Sequence, residues 1–142
     1  MPDIKERLSL LWLFALLNYL YADVIALFVI VDSPHLAEAP HLPGWVLMGS
    51  VVLMEIPIAM ILACRFLPLR ANRMANIIAG CVVTLINASV TYVPPLFGEH
   101  TPALPEYLFF ATVETVATSI IVWQAWTWSR VEAVRLAASP NN

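Results

Sequence analysis

Four long apolar stretches, each about the length of a membrane-spanning helix, set the strongest limit on how this chain can fold. They cover residues 8–31, 45–66, 74–93 and 107–128, and short polar segments separate them. A helix needs ~20 mostly apolar residues to cross the hydrocarbon core of a bilayer. The 142 residues therefore have room for four spans and for no separate soluble domain. The sequence predicts an all-α integral membrane protein, a single domain over residues 1–142 built as a four-transmembrane-helix bundle.

The composition and the segments between the spans agree with a bilayer setting. The chain is 61% hydrophobic and only 12% charged, with a mean hydropathy of +0.79, so it has too little polar surface to surround a soluble core. We expect outer loops at residues 32–44 and 94–106, a cytoplasmic loop at 67–73 and a polar tail at 129–142. No basic patch indicates binding to nucleic acid.

Positive charge lies on one side of the predicted bundle. All seven basic residues occupy span ends, loops or tails of that side: Lys5, Arg7, Arg65, Arg70, Arg73, Arg130 and Arg135. By the positive-inside rule this side is cytoplasmic, which places both termini inside the cell. The tryptophans near this side, Trp12 among them, are expected to face the membrane interface as an aromatic belt.

Each span carries one strongly polar residue in its outer half. At ~1.5 Å of rise per residue, Asp23 lies roughly 12 Å, Glu55 roughly 15 Å, Asn87 roughly 8 Å and Glu114 roughly 10 Å from the predicted outer ends. A charged residue inside a span costs ~2.5 to 3.5 kcal/mol even on the insertion scale. Since no basic residue offsets the three carboxylates, we expect some of them to be protonated or to share a cation. Asp23, Glu55 and Glu114 are the candidate ligands, with Tyr19 and Asn87 as hydrogen-bonding neighbours.

The spacing of small and polar residues places several of them on shared helix faces. In the third span they recur every three or four residues, at Asn72, Asn76, Gly80, Thr84, Asn87 and Thr91, and the fourth span repeats the pattern at Tyr107, Ala111, Glu114, Thr118, Ile121 and Ala125. Residues at this spacing lie on one face of a helix. Glu55 instead shares its face with apolar residues, so the spacing of residues in the second span does not by itself predict a polar helix face. The asparagines and threonines also fit a structural role as hydrogen bonds between helices.

Signatures of metal binding and catalysis are weak or missing. His35, His41 and His100 lie in the predicted outer loops and are candidate zinc or copper ligands, although such clusters are more often polar surface. The Glu-x-x-His pairs of di-iron bundles are missing, as are the motifs of hydrolases, proteases, nucleotide-binding proteins and thiol oxidoreductases. The sequence therefore predicts no cofactor and favours a protein that is not an enzyme.

The stretches LWLFALLNYLYADV, MEIPIAM and RANRMANIIAG resemble a family of small bacterial four-helix membrane proteins known as a domain of unknown function, over residues 8–130. The resemblance implies a multi-pass protein of the bacterial inner (plasma) membrane and implies no activity. The chain is similar to DoxX-type proteins in topology alone. Small multidrug transporters, which are dimers around a membrane glutamate, offer an analogy, but here the first-span acid is Asp23.

Three functions remain open at this point. The leading hypothesis is a transporter- or channel-like protein, a homo-oligomer and most simply a dimer, that binds a proton, a cation or a small cationic ligand at the acidic layer. The second is a membrane enzyme or enzyme subunit that acts on a lipid or quinone-like substrate with two carboxylates as acid and base. The third is a structural accessory subunit in which the polar layer sets helix register.

Overall fold

The structure, a computed structural model, describes residues 3–32, 43–96 and 105–138. Within these ranges the chain forms four α-helices: α1 (Ile4–Asp32), α2 (Gly44–Phe66), α3 (Leu69–Leu96) and α4 (Pro105–Ala138). Each helix contains a segment long and apolar enough to cross a membrane, namely Ile4–Phe28, Gly44–Phe66, Leu69–Val93 and Leu108–Trp128. The predicted all-α fold with four membrane-length helices is confirmed. The orientation of the termini and the identity of the membrane stay predictions.

Four helix ends extend at least three residues beyond the predicted spans, one of them the start of α1 at Ile4. Most of the expected cytoplasmic loop at 67–73 is helical, because α3 begins at Leu69 and the Asn72 N–H already donates to the Pro68 carbonyl at 2.9 Å. α3 also continues through Pro94 and Pro95, whose fixed φ suits a helix although each lacks an N–H donor. α4 extends past the fourth span to Ala138. The expected outer loops fall largely outside the described residues.

The four helices form an antiparallel ring in the order α1, α2, α3, α4. α3 packs along α4, α1 packs against both α2 and α4, and the contact between α2 and α3 is the smallest of the four. The register of α3 and α4 follows from hydrogen bonds at successive levels, where Arg73 Nε donates to the Ala125 carbonyl at 3.1 Å and Thr84 Oγ1 donates to Thr118 Oγ1 at 2.7 Å. Sequence number rises along α3 as it falls along α4, as expected for antiparallel neighbours.

The tightest packing lies at one end of the bundle. We call it the basic end because Lys5, Arg65, Arg70 and Arg73 lie there, at the start of α1, the end of α2 and the start of α3. Two bonds join α1 to α2 there, from Lys5 Nζ to the Leu67 carbonyl at 2.8 Å and from Ser9 Oγ to the Ile61 carbonyl at 3.2 Å. The core consists of large side chains, many of them near this end: Leu8, Trp12, Met60, Cys64, Val83, Ile121 and Trp128. At the opposite end α2 is loosely packed, since every residue of 44–52 except Val46 is exposed.

Trp12 belongs to this core, which corrects the expectation that it faces the membrane interface. Its side chain is 0% exposed, and its indole N–H donates to Asn76 Oδ1 at 2.8 Å. The Asn76 amide donates to the Asn72 carbonyl, and the Asn72 amide donates to the Cys64 carbonyl, both at 2.8 Å. A buried indole needs a hydrogen-bond acceptor, and Asn76 supplies it from α3. This network of Trp12, Cys64, Asn72 and Asn76 therefore joins α1, α2 and α3.

Candidate functional site

The polar stripes predicted for the third and fourth spans lie in the bundle interior. On α3 all six residues are buried except Thr84, which is half-buried. On α4 every described member is buried: Ala111, Glu114, Thr118, Ile121 and Ala125; the side chain of Tyr107 lies outside the description. The helical phase read from the sequence is thus confirmed for both helices. It brings two of the predicted site residues, Asn87 and Glu114, face to face.

The Asn87 amide holds one oxygen of the Glu114 carboxyl. Its Nδ2 donates to Glu114 Oε2 at 3.3 Å, to the Ala111 carbonyl at 3.1 Å and to Thr115 Oγ1 at 3.2 Å. The two side chains are deeply buried, with Glu114 3% and Asn87 9% exposed. An amide on α3 therefore fixes the orientation of a buried carboxyl on α4.

The other oxygen of this carboxyl has a different environment. Glu114 Oε1 is buried and accepts no hydrogen bond from the described residues. The Asp23 carboxyl of α1 lies close enough to interact electrostatically with Glu114. Among the described basic side chains, Lys5 and Arg73 bond to backbone carbonyls at the basic end. A like charge nearby disfavours the ionised form of a buried carboxyl, so ionising both groups is costly unless a cation compensates them.

Asp23, Asn87 and Glu114 lie at one depth. Each is nine residues from the helix end opposite the basic end, which is Asp32 for α1, Leu96 for α3 and Pro105 for α4. The helices extend beyond their membrane-length segments, which end at Phe28, Val93 and Leu108 on this side. The three residues therefore lie five or six residues inside those segments, about 8 to 9 Å of helix. Asp23 is exposed on the bundle surface whereas Glu114 is enclosed. The carboxyl pair thus extends from the surface into the interior.

Glu55 lies apart from this pair. The buried residues of α2 are Pro57, Met60 and Cys64, and Glu55 is exposed on the opposite face of the helix. The expectation that all three acids face one layer therefore does not match the placement of Glu55. Tyr19 is half-buried on α1, one turn before Asp23, and packs against the core.

An apolar layer separates the carboxyl pair from the asparagine network at the basic end. Val83 is 1% and Ile121 0% exposed, and Gly80 lets α4 approach so closely that a Cβ atom built on it would lie 2.6 Å from Val122 Cγ2. Among the described residues the polar stripe of α3 is interrupted at this level. The two polar clusters are therefore separate.

Sequence reasoning missed Thr115 as a partner of Asn87, and it did not pair Thr84 with Thr118. A signal for both is present in the sequence, since threonines recur at 112, 115 and 118 around Glu114. No such pattern marks Trp12.

A metal site with three or more protein ligands is not found in the described part of the chain. The described residues contain no group of three or more His, Cys, Asp or Glu side chains placed to hold a metal ion. The loop candidates His35, His41 and His100 lie outside the described residues.

Fold and site together define a class, the small helical bundles of membrane-spanning dimensions with a carboxyl group enclosed between helices. Within that class the chain belongs to DUF6326, a family of unknown function whose profile matches residues 2–135. Comparisons with curated proteins and with solved structures gave no match. The resemblance to an uncharacterised family is confirmed, and the family carries no assigned activity.

Proposed function

We propose that this chain binds a proton, a cation or a small cationic ligand between Asp23 and Glu114, and that it acts as a transporter-like membrane protein. One observation carries the proposal: the enclosed Glu114 carboxyl has one oxygen without a hydrogen bond from the described residues, and the Asp23 carboxyl lies within electrostatic range of it. Uncompensated charge is very costly at this depth in a membrane. A bound proton or cation removes that cost.

The three residues have different roles in this proposal. Glu114 is the main ligand, and Asn87 keeps Oε2 in place so that Oε1 faces the bound ion. Asp23, which is exposed, supplies the second carboxyl of the site from α1. When a cation replaces a proton on the pair, the proton is released. Binding and proton release are then coupled, as expected where substrate and proton compete for one carboxylate.

The apolar layer around Gly80, Val83 and Ile121 favours a transporter over an open channel. In the direction of the basic end, an ion bound at Glu114 first meets the hydrogen-bonded hydroxyls of Thr84 and Thr118. Beyond them it meets closely packed apolar side chains. Crossing that layer requires the helices to move. Such a layer is typical of a site that is reached from one side at a time.

A second candidate function is an enzyme that acts on a lipid or quinone-like substrate. It is favoured by the different surroundings of the two carboxyls, with Asp23 exposed where lipid would lie and Glu114 enclosed. Such a contrast separates an acid from a base. A long-chain molecule that copurifies with the wild type and is lost in Asp23→Asn would favour this function over transport.

Binding measurements on purified protein in lipid nanodiscs test the proposed function. Na⁺, K⁺ and tetraphenylphosphonium are titrated separately by calorimetry, in buffers of different ionisation enthalpy so that released protons are counted. We expect at least one probe to bind with proton release, Glu114→Gln to abolish that binding and Asp23→Asn to weaken it.

Glu55→Gln is the matched control, since it makes the same chemical change on the other side of α2. It should bind the probe as the wild type does. If Glu114→Gln retains wild-type binding of every probe, or if no probe binds the wild type, the proposed cation binding is wrong.

A further inference from the structure

Glu55 places a carboxyl on the surface of α2 at the middle of the helix. It lies eleven residues after Gly44 and eleven before Phe66, about 16 Å of helix from either end. A glutamate side chain is far too short to reach water at either membrane surface. Long side chains near helix ends can extend to the interface, but Glu55 is not near an end.

The face around Glu55 is apolar and uncovered by the rest of the protomer. Its exposed members within two turns of Glu55 are Met48, Val51, Val52, Ile58, Ala59 and Leu62. Lipid chains cover apolar side chains well, but they offer no hydrogen bond to a carboxyl. Even in its neutral form, an unpaired carboxyl facing hydrocarbon is unfavourable. A polar partner at the same depth is therefore needed.

We propose that a second copy of this chain packs on this face, so that the Glu55 carboxyls of the two protomers hydrogen-bond to each other across a twofold axis. Two copies inserted in the same orientation carry Glu55 at the same depth, and a twofold axis along the membrane normal brings identical residues together. A protonated carboxyl has both a donor and acceptors, so it is complementary to itself. This interface lies on the side of α2 facing away from the bundle and does not depend on the function proposed for Asp23 and Glu114.

The neighbours of Glu55 suit a partner of this kind. Ala59 follows one turn later on the same face and is exposed, and small residues at such positions let membrane helices approach closely. No Lys or Arg of the described residues lies at this level of the bundle, so Glu55 has no salt-bridge partner within the protomer. A symmetric contact satisfies both carboxyls with this one residue type.

Disulfide trapping in native membranes tests where the interface lies. The background variant is Cys81→Ser, and Cys64 is kept because it is fully buried. Val51→Cys introduces a thiol on the Glu55 face, and Ile78→Cys introduces one at a site of similar exposure on α3 (63% and 58% exposed in the wild type). We expect a disulfide-linked dimer for Val51→Cys and monomer for Ile78→Cys. Equal cross-linking at both positions, or none at Val51→Cys, would overturn the proposal.

Dimer affinity in liposomes, measured by single-molecule photobleaching at graded protein densities, tests the role of the carboxyl. Glu55→Gln keeps a donor and an acceptor and should dimerise as the wild type does, whereas Glu55→Leu should weaken dimerisation by roughly three- to twentyfold, the range measured for hydrogen bonds between membrane helices. Ala59→Phe should weaken it through steric overlap, and Ser89→Phe, at an exposed site of α3, should not.

A monomeric wild type, or an unchanged affinity in Glu55→Leu, contradicts the proposal. Cation binding enters none of these measurements, so their outcome is separate from that of the proposed function.

Discussion

Replacing Asn76 by alanine should destabilise the bundle more than any other single asparagine change at its basic end. Asn76 is 0% exposed. It accepts the Trp12 indole N–H at 2.8 Å, and its Nδ2 donates to the Asn72 carbonyl at 2.8 Å and to Asn72 Oδ1 at 2.6 Å. Truncation leaves the Trp12 N–H and Asn72 Oδ1 buried without these partners. Asn72 Nδ2 keeps its bond to Cys64.

The size of the destabilisation follows from the two buried groups that lose a hydrogen bond, the Trp12 N–H and Asn72 Oδ1. In soluble proteins a buried polar atom left without a partner costs about 1 to 3 kcal/mol. Between membrane helices the measured value per bond is smaller, ~0.6 kcal/mol on average and ~1.7 at most, because the unfolded chain in lipid also finds partners. With the membrane values, the loss at Trp12 and Asn72 together is roughly 1 to 3 kcal/mol.

Reversible unfolding in mixed detergent and SDS micelles, followed by circular dichroism, measures this loss. Asn18→Ala is the control, since the Asn18 amide donates to the Phe14 carbonyl of its own helix at 3.0 Å and joins no second helix there. Asn18→Ala should change the free energy of unfolding by a few tenths of a kcal/mol at most, as is usual for surface substitutions. If Asn76→Ala and Asn18→Ala unfold alike, the buried network does not stabilise the bundle and the reasoning fails.

The same unfolding assay tests three further changes, and calorimetry tests a fourth. Gly80→Ala should lower the free energy of unfolding through overlap with Val122, which costs about 1 to 3 kcal/mol. This cost exceeds the ~1 kcal/mol that alanine gains over glycine in a helix. Adding Val122→Ala should restore most of the lost stability. Gly49→Ala meets no atom within 4 Å and should be neutral or stabilising by up to ~1 kcal/mol. The valine variants of Thr84 and Thr118, singly and together, should show a coupling of roughly 0.6 to 1.7 kcal/mol. Asn87→Leu should reduce cation affinity less than Glu114→Gln does, because the ligand carboxyl remains.

The sequence predicts the helices and the α3–α4 interior well, for a physical reason. In lipid a backbone must satisfy its own hydrogen bonds, so long apolar runs leave little choice but helices. Polar residues are rare in such runs, and their spacing therefore carries clear phase information. For this reason the sequence predicts the helix face that runs from Asn72 to Thr91 and the face that contains Glu114.

The spacing of residues does not predict where Glu55 and Trp12 lie in the bundle. α2 is apolar on both sides, so its sequence does not decide whether Glu55 or the face of Pro57, Met60 and Cys64 turns inward. Packing against α1 decides it. Trp12 joins the core because Asn76, 64 residues later, accepts its N–H, and a pairing of such separation leaves no local pattern. The start of α3 was missed because Arg70 and Asn72 are as compatible with a helix as with a turn.

Infrared difference spectroscopy of the carboxyl groups tests whether Glu114 exchanges a proton for a cation. Spectra are recorded before and after loading with the probe that binds in the calorimetric titration. We expect loading to remove a protonated-carboxyl absorption in the wild type and in Glu55→Gln, and we expect this change to be missing in Glu114→Gln. A wild-type spectrum without any carboxyl change on binding, or the same change in Glu114→Gln, would contradict this exchange.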